Sequence, residues 1–266
     1  MADAGRAIDM IDVRPAFTQA DADALNARYA GVDAPDMLRD LLRGELAGRV
    51  SAVSSFGTES AVLLDMVAKA DPATPVIFVD TLKMFPETLT YRDELVARLG
   101  LTGLRNIQPL ADVLEQRDPE GMRHGYDPDG CCEIRKVEPL ARALNGVEAW
   151  ISGRKGFQSS TRAGLPRFEI EDGRLKVNPL ADWDKTRLDA YFAANDLPRH
   201  PLEAQGYLSI GCAPCTSIVK PGEDPRAGRW RGWDKIECGI HTADGHDAGD
   251  TATDSADGAF TPLPTR

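Results

Sequence analysis

Apolar residues recur along this chain with two different periods, which divide it into helices and strands. The leucines of residues 21–47 follow helical spacing, so this part is predicted to be helical. Short runs rich in β-branched residues come next, and helical patterns separate them. The predicted strands lie at 49–54, 75–80, 104–107 and 148–153, and the predicted helices between them lie at 61–67, 86–99 and 131–144. This alternation predicts an α/β fold whose doubly wound, mostly parallel sheet is covered on both faces.

The pattern loosens beyond residue 154. Residues 168–177 resemble a hairpin and residues 184–195 a helix, and loops punctuated by glycine and proline fill the remainder. The last stretch is acidic and offers few apolar side chains to bury, so we expect it to be disordered. The predicted parts are an N-terminal helical segment at 1–48, an α/β domain at 49–219, a mobile loop-rich segment at 220–242 and a disordered acidic tail at 243–266.

Composition and charge narrow the classes of function. The 31 basic and 42 acidic residues give a net charge of −11, which argues against a nucleic-acid partner. Residues 154–176 and 226–235 are nevertheless locally rich in Arg and Lys, as a small anionic ligand requires. No run approaches the roughly 18 apolar residues of a membrane span. The first residues lack the basic and apolar regions of a secretory signal, so we expect a cytoplasmic protein without a membrane partner.

Small polar residues follow two neighbouring predicted strands. After the first strand comes the turn Ser54, Ser55, Phe56, Gly57 and Thr58, and after the second comes Asp80, Thr81 and Leu82. Backbone N–H groups in such a turn, with the positive end of the next helix, form a phosphate site. The alternative is that this turn only connects a strand to a helix, because such polar turns are ordinary connections in any α/β domain. Two adjacent strand ends of this kind favour a nucleotide that lies across them.

The first turn resembles the phosphate loop of the pyrophosphate-loop family of adenine-nucleotide enzymes. That family usually has Ser-Gly-Gly-x-Asp-Ser, whereas here Phe56 and Gly57 follow the serines and Glu59 replaces the aspartate. The resemblance implies a sheet of the adenine-nucleotide alpha hydrolase-like type. The departures suggest a loop that holds a nucleotide without splitting ATP.

All five cysteines fall into three compact groups. They are the adjacent Cys131 and Cys132, the Cys-x-x-Cys pair Cys212 and Cys215, and the separate Cys238. Adjacent residues on a helix point about 100° apart, so binding one metal ion through both is strained. A larger cluster presents separate iron atoms and tolerates such a pair, which favours one 4Fe–4S cluster held by the four paired cysteines. A tetrathiolate zinc site and buried thiols without metal are the alternatives.

Three separated motifs resemble those of the assimilatory adenylyl-sulfate reductases, within the phosphoadenylyl-sulfate reductase family. They are Cys131-Cys132-Glu133-Ile134-Arg135-Lys136, then Gly211-Cys212-Ala213-Pro214-Cys215-Thr216, then Glu237-Cys238-Gly239-Ile240-His241. The resemblance implies a 4Fe–4S cluster on the paired cysteines and a nucleophilic attack by Cys238 on adenylyl sulfate. Related phosphoadenylyl-sulfate reductases lack the four cluster cysteines. A reductase of phosphoadenylyl sulfate, or of both substrates, is the nearest alternative.

Several basic residues are candidates for binding the anionic substrate. By resemblance, Lys136 is a sulfate ligand, and arginines among Arg226, Arg229 and Arg231 close over the sulfate. Arg154 and Arg162 follow a predicted strand end, where their guanidinium groups can clamp the α-phosphate. Lys155 stands where the family usually has a second arginine. His241 lies three residues after Cys238, where it can stabilise the thiolate or bind the substrate.

If four of the five cysteines bind the cluster, one cysteine remains for the reaction. Only Cys238 is left to react, so a second thiol must come from outside the chain, and the resemblance implies thioredoxin or a glutaredoxin-like dithiol protein. We expect thiols to supply the electrons, with no bound redox coenzyme, and we expect a homo-oligomer. An iron–sulfur redox sensor and an RNA-thiolating enzyme are the more distant alternatives. The sequence has no basic helical module for the former, and its acidic surface counts against the latter.

Overall fold

A six-stranded sheet forms the centre of the computed structural model, which describes residues 16–158 and 164–240. The strands lie in the order β3, β2, β1, β4, β6, β5. Their bounds are Val50–Val53 (β1), Val76–Val79 (β2), Leu104–Ile107 (β3), Ala149–Ile151 (β4), Phe168–Glu171 (β5) and Arg174–Val177 (β6). Every neighbouring pair is parallel except β5 and β6, which form an antiparallel hairpin. The predicted mostly parallel α/β sheet is therefore confirmed.

Helices precede the sheet and connect its strands. They are Gln19–Arg28 (α1), Ala34–Arg43 (α2), Ser60–Ala70 (α3), Pro86–Leu99 (α4), Ala111–Arg117 (α5), Pro128–Cys132 (α6), Glu138–Ala143 (α7) and Lys185–Ala194 (α8). Local sequence explains several ends. Thr18 and Asp21 form a capping box before α1, and Gly100 ends α4 in the left-handed conformation. None of the helices in the described part of the chain is long and apolar enough to cross a membrane.

Alternate side chains of each strand point to opposite faces of the sheet, and both faces are covered. Ala52, Val76 and Phe78 belong to the main core, together with the apolar residues of α2 and α3. Ile77 and Trp150 face the other way and pack with α7 in a smaller core. The central strands β1, β2 and β4 are buried on both sides, as expected for a doubly wound sheet, whereas the edge strand β3 is more exposed.

The segment 131–144 departs from the single helix that its pattern predicts. The helix begins earlier, at Pro128, and a π-helical turn at Glu133–Val137 separates α6 from α7. Pro139 explains the interruption, because proline has no N–H for the helical hydrogen bond and its ring crowds the preceding turn. Lys136 lies within this π-helical turn, which follows directly after Cys131 and Cys132.

The hairpin at 168–177 extends the sheet instead of standing apart from it. Its two-residue turn, Asp172-Gly173, has φ angles of 49° and 72°, as the tight turns of β-hairpins require. β6 then pairs with β4 in parallel, with Ile151 opposite Val177. The residues after β4, at the edge of the sheet where β1 and β2 also end, therefore lie beside the hairpin.

Candidate active site

A pocket of about 520 Å³ lies at the carboxyl ends of β1, β2 and β4. This size suits a small-molecule ligand, and the position is the usual one for ligands of parallel α/β sheets. One part of its wall is the turn after β1, and another is the basic C-terminal segment. The predicted site residues that line it are Ser54, Ser55, Gly57, Thr58, Thr81, Lys136, Arg154, Arg226, Arg229 and Cys238.

The turn after β1 presents its small residues to the pocket and its aromatic residue to the core. Phe56 is fully buried and packs edge-on against Phe78, with ring centroids 5.4 Å apart. Its φ of 51° is unusual for a large side chain, and its N–H donates to Ser54 Oγ at 3.1 Å. Phe56 thus anchors the turn without lining the pocket. Ser60, the first residue of α3, lines the pocket, so the positive end of that helix lies at the pocket wall.

The residues after β2 divide their roles in a similar way. Asp80 accepts hydrogen bonds from Leu82 N–H at 3.0 Å and from Gln108 Nε2 at 2.9 Å, so its carboxylate shapes the turn. Leu82 is half-exposed, with φ of 59°, and neither it nor Asp80 lines the pocket. Thr81 does line the pocket, and its Oγ1 lies 3.1 Å from Cys212 Sγ.

The four paired cysteines gather beside this end of the pocket. Cys131, Cys132 and Cys212 are buried and Cys215 is partly buried. Burial, together with smaller effects of charge on Cys132, Cys212 and Cys215, raises the pKa of the Cys131 thiol to about 11. Burial likewise raises the pKa of Cys132 to about 11. The two pairs therefore lie close enough for the charge of one thiol to affect the pKa of another.

Lys136 joins the paired cysteines to Cys238. Burial alone would lower the pKa of this lysine, but negative charge on Cys212, Cys238 and Cys132 raises it, so the ammonium stays charged. Conversely, burial would raise the pKa of Cys212, and Lys136 together with the Thr81 hydroxyl keeps it below the ordinary value. The Lys136 ammonium therefore interacts electrostatically both with the paired cysteines and with Cys238.

The C-terminal segment brings two of the three predicted arginines to the pocket. Arg226 Nη2 donates to the Ile236 carbonyl at 2.7 Å and to Glu237 at 3.2 Å, which holds the chain next to Cys238. Arg229 lies over Trp230, and its buried Nε has no hydrogen-bond partner among the described residues. Arg231 instead pairs with Glu223 at 2.9 Å on the surface and does not line the pocket.

Residues after β4 contribute a second cationic group. Arg154 lines the pocket and its Nη1 lies 3.1 Å from Glu169 on β5. Lys155 and Glu59, two of the departures from the family patterns, form a largely buried ion pair of 3.0 Å at the pocket wall. Both residues stand out in the sequence, but they lie far apart in the chain and no local pattern indicates that they form a pair. Arg162 and His241 lie outside the described residues.

Other features of the site have no counterpart in the sequence argument. The buried Trp230 touches several cations, and Lys235 pairs with Asp129 on α6. Only the crowding of Trp and Arg at 226–235 pointed to this region. In residues 16–158 and 164–240, no three or more His, Cys, Asp or Glu side chains form a group that could hold a metal ion.

Comparison with known proteins places the chain in a family. Residues 49–218 match the phosphoadenosine phosphosulfate reductase domain. An adenosine 5'-phosphosulfate reductase of Chelativorans sp. (strain BNC1) is 49% identical over 231 residues, which cover 86% of this chain and 94% of that protein. A phosphoadenosine 5'-phosphosulfate reductase of Gloeobacter violaceus is 46% identical over 193 residues, covering 71% and 80% of the two chains.

Solved structures agree with this assignment. A phosphoadenylyl-sulfate reductase from Candida auris, in a phosphate complex, is 29% identical with a TM-score of 0.65, covering 76% of this chain and 98% of its own. An FMN adenylyltransferase from Candida glabrata is 16% identical with a TM-score of 0.50, covering 78% and 79% of the two chains, and shares the fold alone. Both likenesses confirm the predicted fold class, and the family indicated by the three motifs is confirmed as well. The chain belongs to the phosphoadenosine phosphosulfate reductase domain family.

Proposed function

We propose that this chain reduces adenylyl sulfate to sulfite and AMP in sulfate assimilation, with Cys238 as the nucleophile. The observation that carries the proposal is the position of Cys238 on the pocket wall, which Lys136 and Arg229 also line, while the turn after β1 lines another part. A nucleotide held by that turn can extend its sulfate toward the thiol. The relatives from Chelativorans and Mesorhizobium are both named adenosine 5'-phosphosulfate reductase, which supports this substrate.

The chemistry explains why cations surround the thiol. The sulfur of adenylyl sulfate is electrophilic, but its anionic oxygens repel an approaching thiolate. Lys136, Arg226 and Arg229 line the pocket, where their charges offset the negative charge of the sulfate. Because Lys136 is buried, its charge acts in a medium that screens it less than water does. Arg154 is well placed to bind the α-phosphate through the N–H groups of its guanidinium.

The reaction proceeds in two thiol steps. The Cys238 thiolate forms a bond to the substrate sulfur, the sulfur–oxygen bond to the phosphate breaks, and AMP leaves with that electron pair. An S-sulfocysteine remains on the enzyme. A thiolate of a dithiol protein then attacks Cys238 Sγ, and sulfite departs with the electrons of the sulfur–sulfur bond. The second thiol of the partner resolves the mixed disulfide, so the partner is oxidised and Cys238 is regenerated.

We propose that the four paired cysteines hold one 4Fe–4S cluster, because thiolates are the ligands of such clusters and three of these four side chains are buried. When bound, the cluster would supply charge and rigidity beside the sulfate, while thiols supply the electrons without a bound redox coenzyme. Cys131, Cys132, Cys212 and Cys215 would hold it, and Thr81 orients Cys212.

The reductant must reach Cys238 after AMP has formed. We propose thioredoxin or a glutaredoxin-like protein, since a second free thiol is missing from the proposed division of the cysteines. Residues 220–240 would open for reduction and close for attack, and Gly222, Gly232 and Gly239 have the positive φ angles of a segment rich in turns. A cytoplasmic homo-oligomer remains part of the proposal from the resemblance.

A turnover assay tests the proposal and its nearest alternative together. Purified protein is given adenylyl sulfate or phosphoadenylyl sulfate with reduced thioredoxin, and the sulfite formed is measured. We expect faster turnover of adenylyl sulfate and none in the Cys238→Ser variant. Faster turnover of phosphoadenylyl sulfate would favour the activity named for the Gloeobacter relative. Turnover of neither nucleotide by the wild-type protein would contradict both.

A further inference from the structure

Trp230 lies at the centre of a group of cations that the proposed chemistry does not itself explain. The side chain is 3% exposed. The Arg229 guanidinium lies 4.5 Å from its ring centroid, Lys235 Nζ lies 5.5 Å away and Lys136 Nζ lies 5.7 Å away. These distances fall within the range of cation–π attraction, for which tryptophan is the best aromatic partner.

Gathering these charges before the substrate arrives carries a cost. Like charges repel, and burial weakens the screening by water. Lys235 is offset by Asp129, with which it forms an ion pair. Arg229 and Lys136 line the pocket, where the substrate itself would supply the opposite charge. The electron-rich ring face of Trp230 attracts both cations at all times, including when the substrate is absent.

The backbone holds the ring in this place at the expense of local strain. Trp230 has φ of 46°, a conformation that large side chains rarely adopt and that clusters at functional sites. The backbone N–H of Trp230 donates to the Cys215 carbonyl at 3.0 Å, and Arg229 pairs with Thr216 in an isolated β-bridge. The main chain at Trp230 is therefore fixed to the segment that carries the second cysteine pair.

We infer that Trp230 is a positioning residue, whose ring face holds the Lys136 ammonium and the Arg229 guanidinium toward the sulfate of the substrate. This inference rests on the proposed function. It assigns to Trp230 the discrimination between a nucleotide that carries a sulfate and one that does not. AMP, which lacks the sulfate, should bind without depending on the ring.

Binding measured in the Cys238→Ser background tests this role, because the substrate is then not consumed. Calorimetric titrations with adenylyl sulfate and with AMP are compared among three proteins: the background itself and the same protein with Trp230→Phe or Trp230→Leu. Loss of cation–π attraction is worth roughly 0.5–2 kcal/mol, so we expect Trp230→Leu to weaken adenylyl sulfate about tenfold. AMP should bind as before within about twofold, and Trp230→Phe should keep most of the affinity for adenylyl sulfate.

Trp233→Leu is the matched control, because Trp233 lies in the same segment but is 45% exposed. It should leave both affinities unchanged. Visible absorbance of the cluster and the melting temperature check that the variants are intact, and Trp230→Met, which keeps bulk without a ring, replaces the leucine variant if that does not fold. Equal weakening of both nucleotides, or no effect of removing the ring, would overturn the inference. Binding of neither nucleotide by the background protein would instead refute the proposed function.

Discussion

The buried ion pair between Asp118 and Arg135 links the loop before α6 to the end of β2. The side chains are 1% and 5% exposed. Asp118 Oδ2 accepts from Arg135 Nη2 at 2.6 Å and from Nε at 3.2 Å, while Oδ1 accepts from Arg123 N–H at 2.9 Å. Arg135 Nη1 also donates to the Thr81 carbonyl at 3.0 Å. Replacing Asp118 by Asn keeps the shape but leaves the guanidinium buried without its counter-charge.

Removing one partner of a buried pair costs about 3–5 kcal/mol, because the remaining charge is left uncompensated. For a domain of this size, 1 kcal/mol corresponds to about 2–4 °C of melting temperature. We therefore expect Asp118→Asn to lower the melting temperature by about 10 °C. The exposed pair of Asp36 and Arg39 serves as a control, because its side chains are 63% and 53% exposed. Asp36→Asn should cost less than about 1 kcal/mol.

The pH dependence supplies an independent check of the same pair. Burial would raise the pKa of Asp118, but the hydrogen bonds and charge of Arg135 hold it below its usual value. A depressed carboxyl pKa contributes stability above the unfolded value of about 3.9, and this contribution is lost as the pH falls below it. Thermal unfolding followed by circular dichroism should thus show the deficit of Asp118→Asn shrinking in acid. Equal losses for Asp118→Asn and Asp36→Asn at pH 7 would refute the reasoning.

Two further substitutions test the site and the core. A Cβ at Gly211 would lie 2.0 Å from Arg229 Nη1, so Gly211→Ala should displace the Arg229 side chain. We expect this variant to lower kcat/KM in the sulfite assay about tenfold or more, at little cost in stability. Gly125→Ala is the control, because a Cβ at Gly125 meets nothing within 4 Å, and it should keep full activity in the same assay. Burial lowers the pKa of His200 to about 4, so its contribution to stability is complete above about pH 6.5 and is lost as the pH falls toward 4. Relative to His200→Gln, the wild-type protein should lose about 2 kcal/mol of unfolding free energy between pH 7.5 and pH 5, as measured by urea unfolding. If the unfolding free energies of the two proteins changed with pH in parallel, the lowered pKa of His200 would be contradicted.

Local patterns were enough to predict most of the sheet and its connections. The α4 helix lies between Pro86 and Gly100, both of which are strong boundary signals, and its predicted bounds match. The Asp172-Gly173 turn likewise predicts the hairpin. The parallel pairing of β6 with β4 was not predicted, since strand neighbours depend on packing between distant segments. The π-helical turn was missed for a different reason: residues 131–144 follow helical spacing, and the proline within them, Pro139, does not by itself specify how the helix is interrupted.

The sequence predicted which residues belong to the site better than it predicted how their side chains are arranged. The spacing of the cysteines and the polar strand ends pointed to residues that line one pocket or adjoin it. Ion pairs such as Glu59 with Lys155 join residues far apart in the chain, and nothing local indicates them. Phe56 and Asp80 occur in the predicted turns but stabilise their geometry instead of lining the pocket. Side-chain direction, which follows from the fold, decided these differences.

Cys238 as the carrier of the sulfonate group is the central claim, and intact-mass spectrometry tests it directly. The protein is incubated with adenylyl sulfate in the absence of any thiol, and its mass is compared with that of Cys238→Ser treated in the same way. The account predicts the addition of one sulfonate group, located on Cys238 by peptide mapping, absent from the serine variant and removed by reduced thioredoxin with release of sulfite. Sulfite formation without such an adduct, or an adduct on another cysteine, would contradict it.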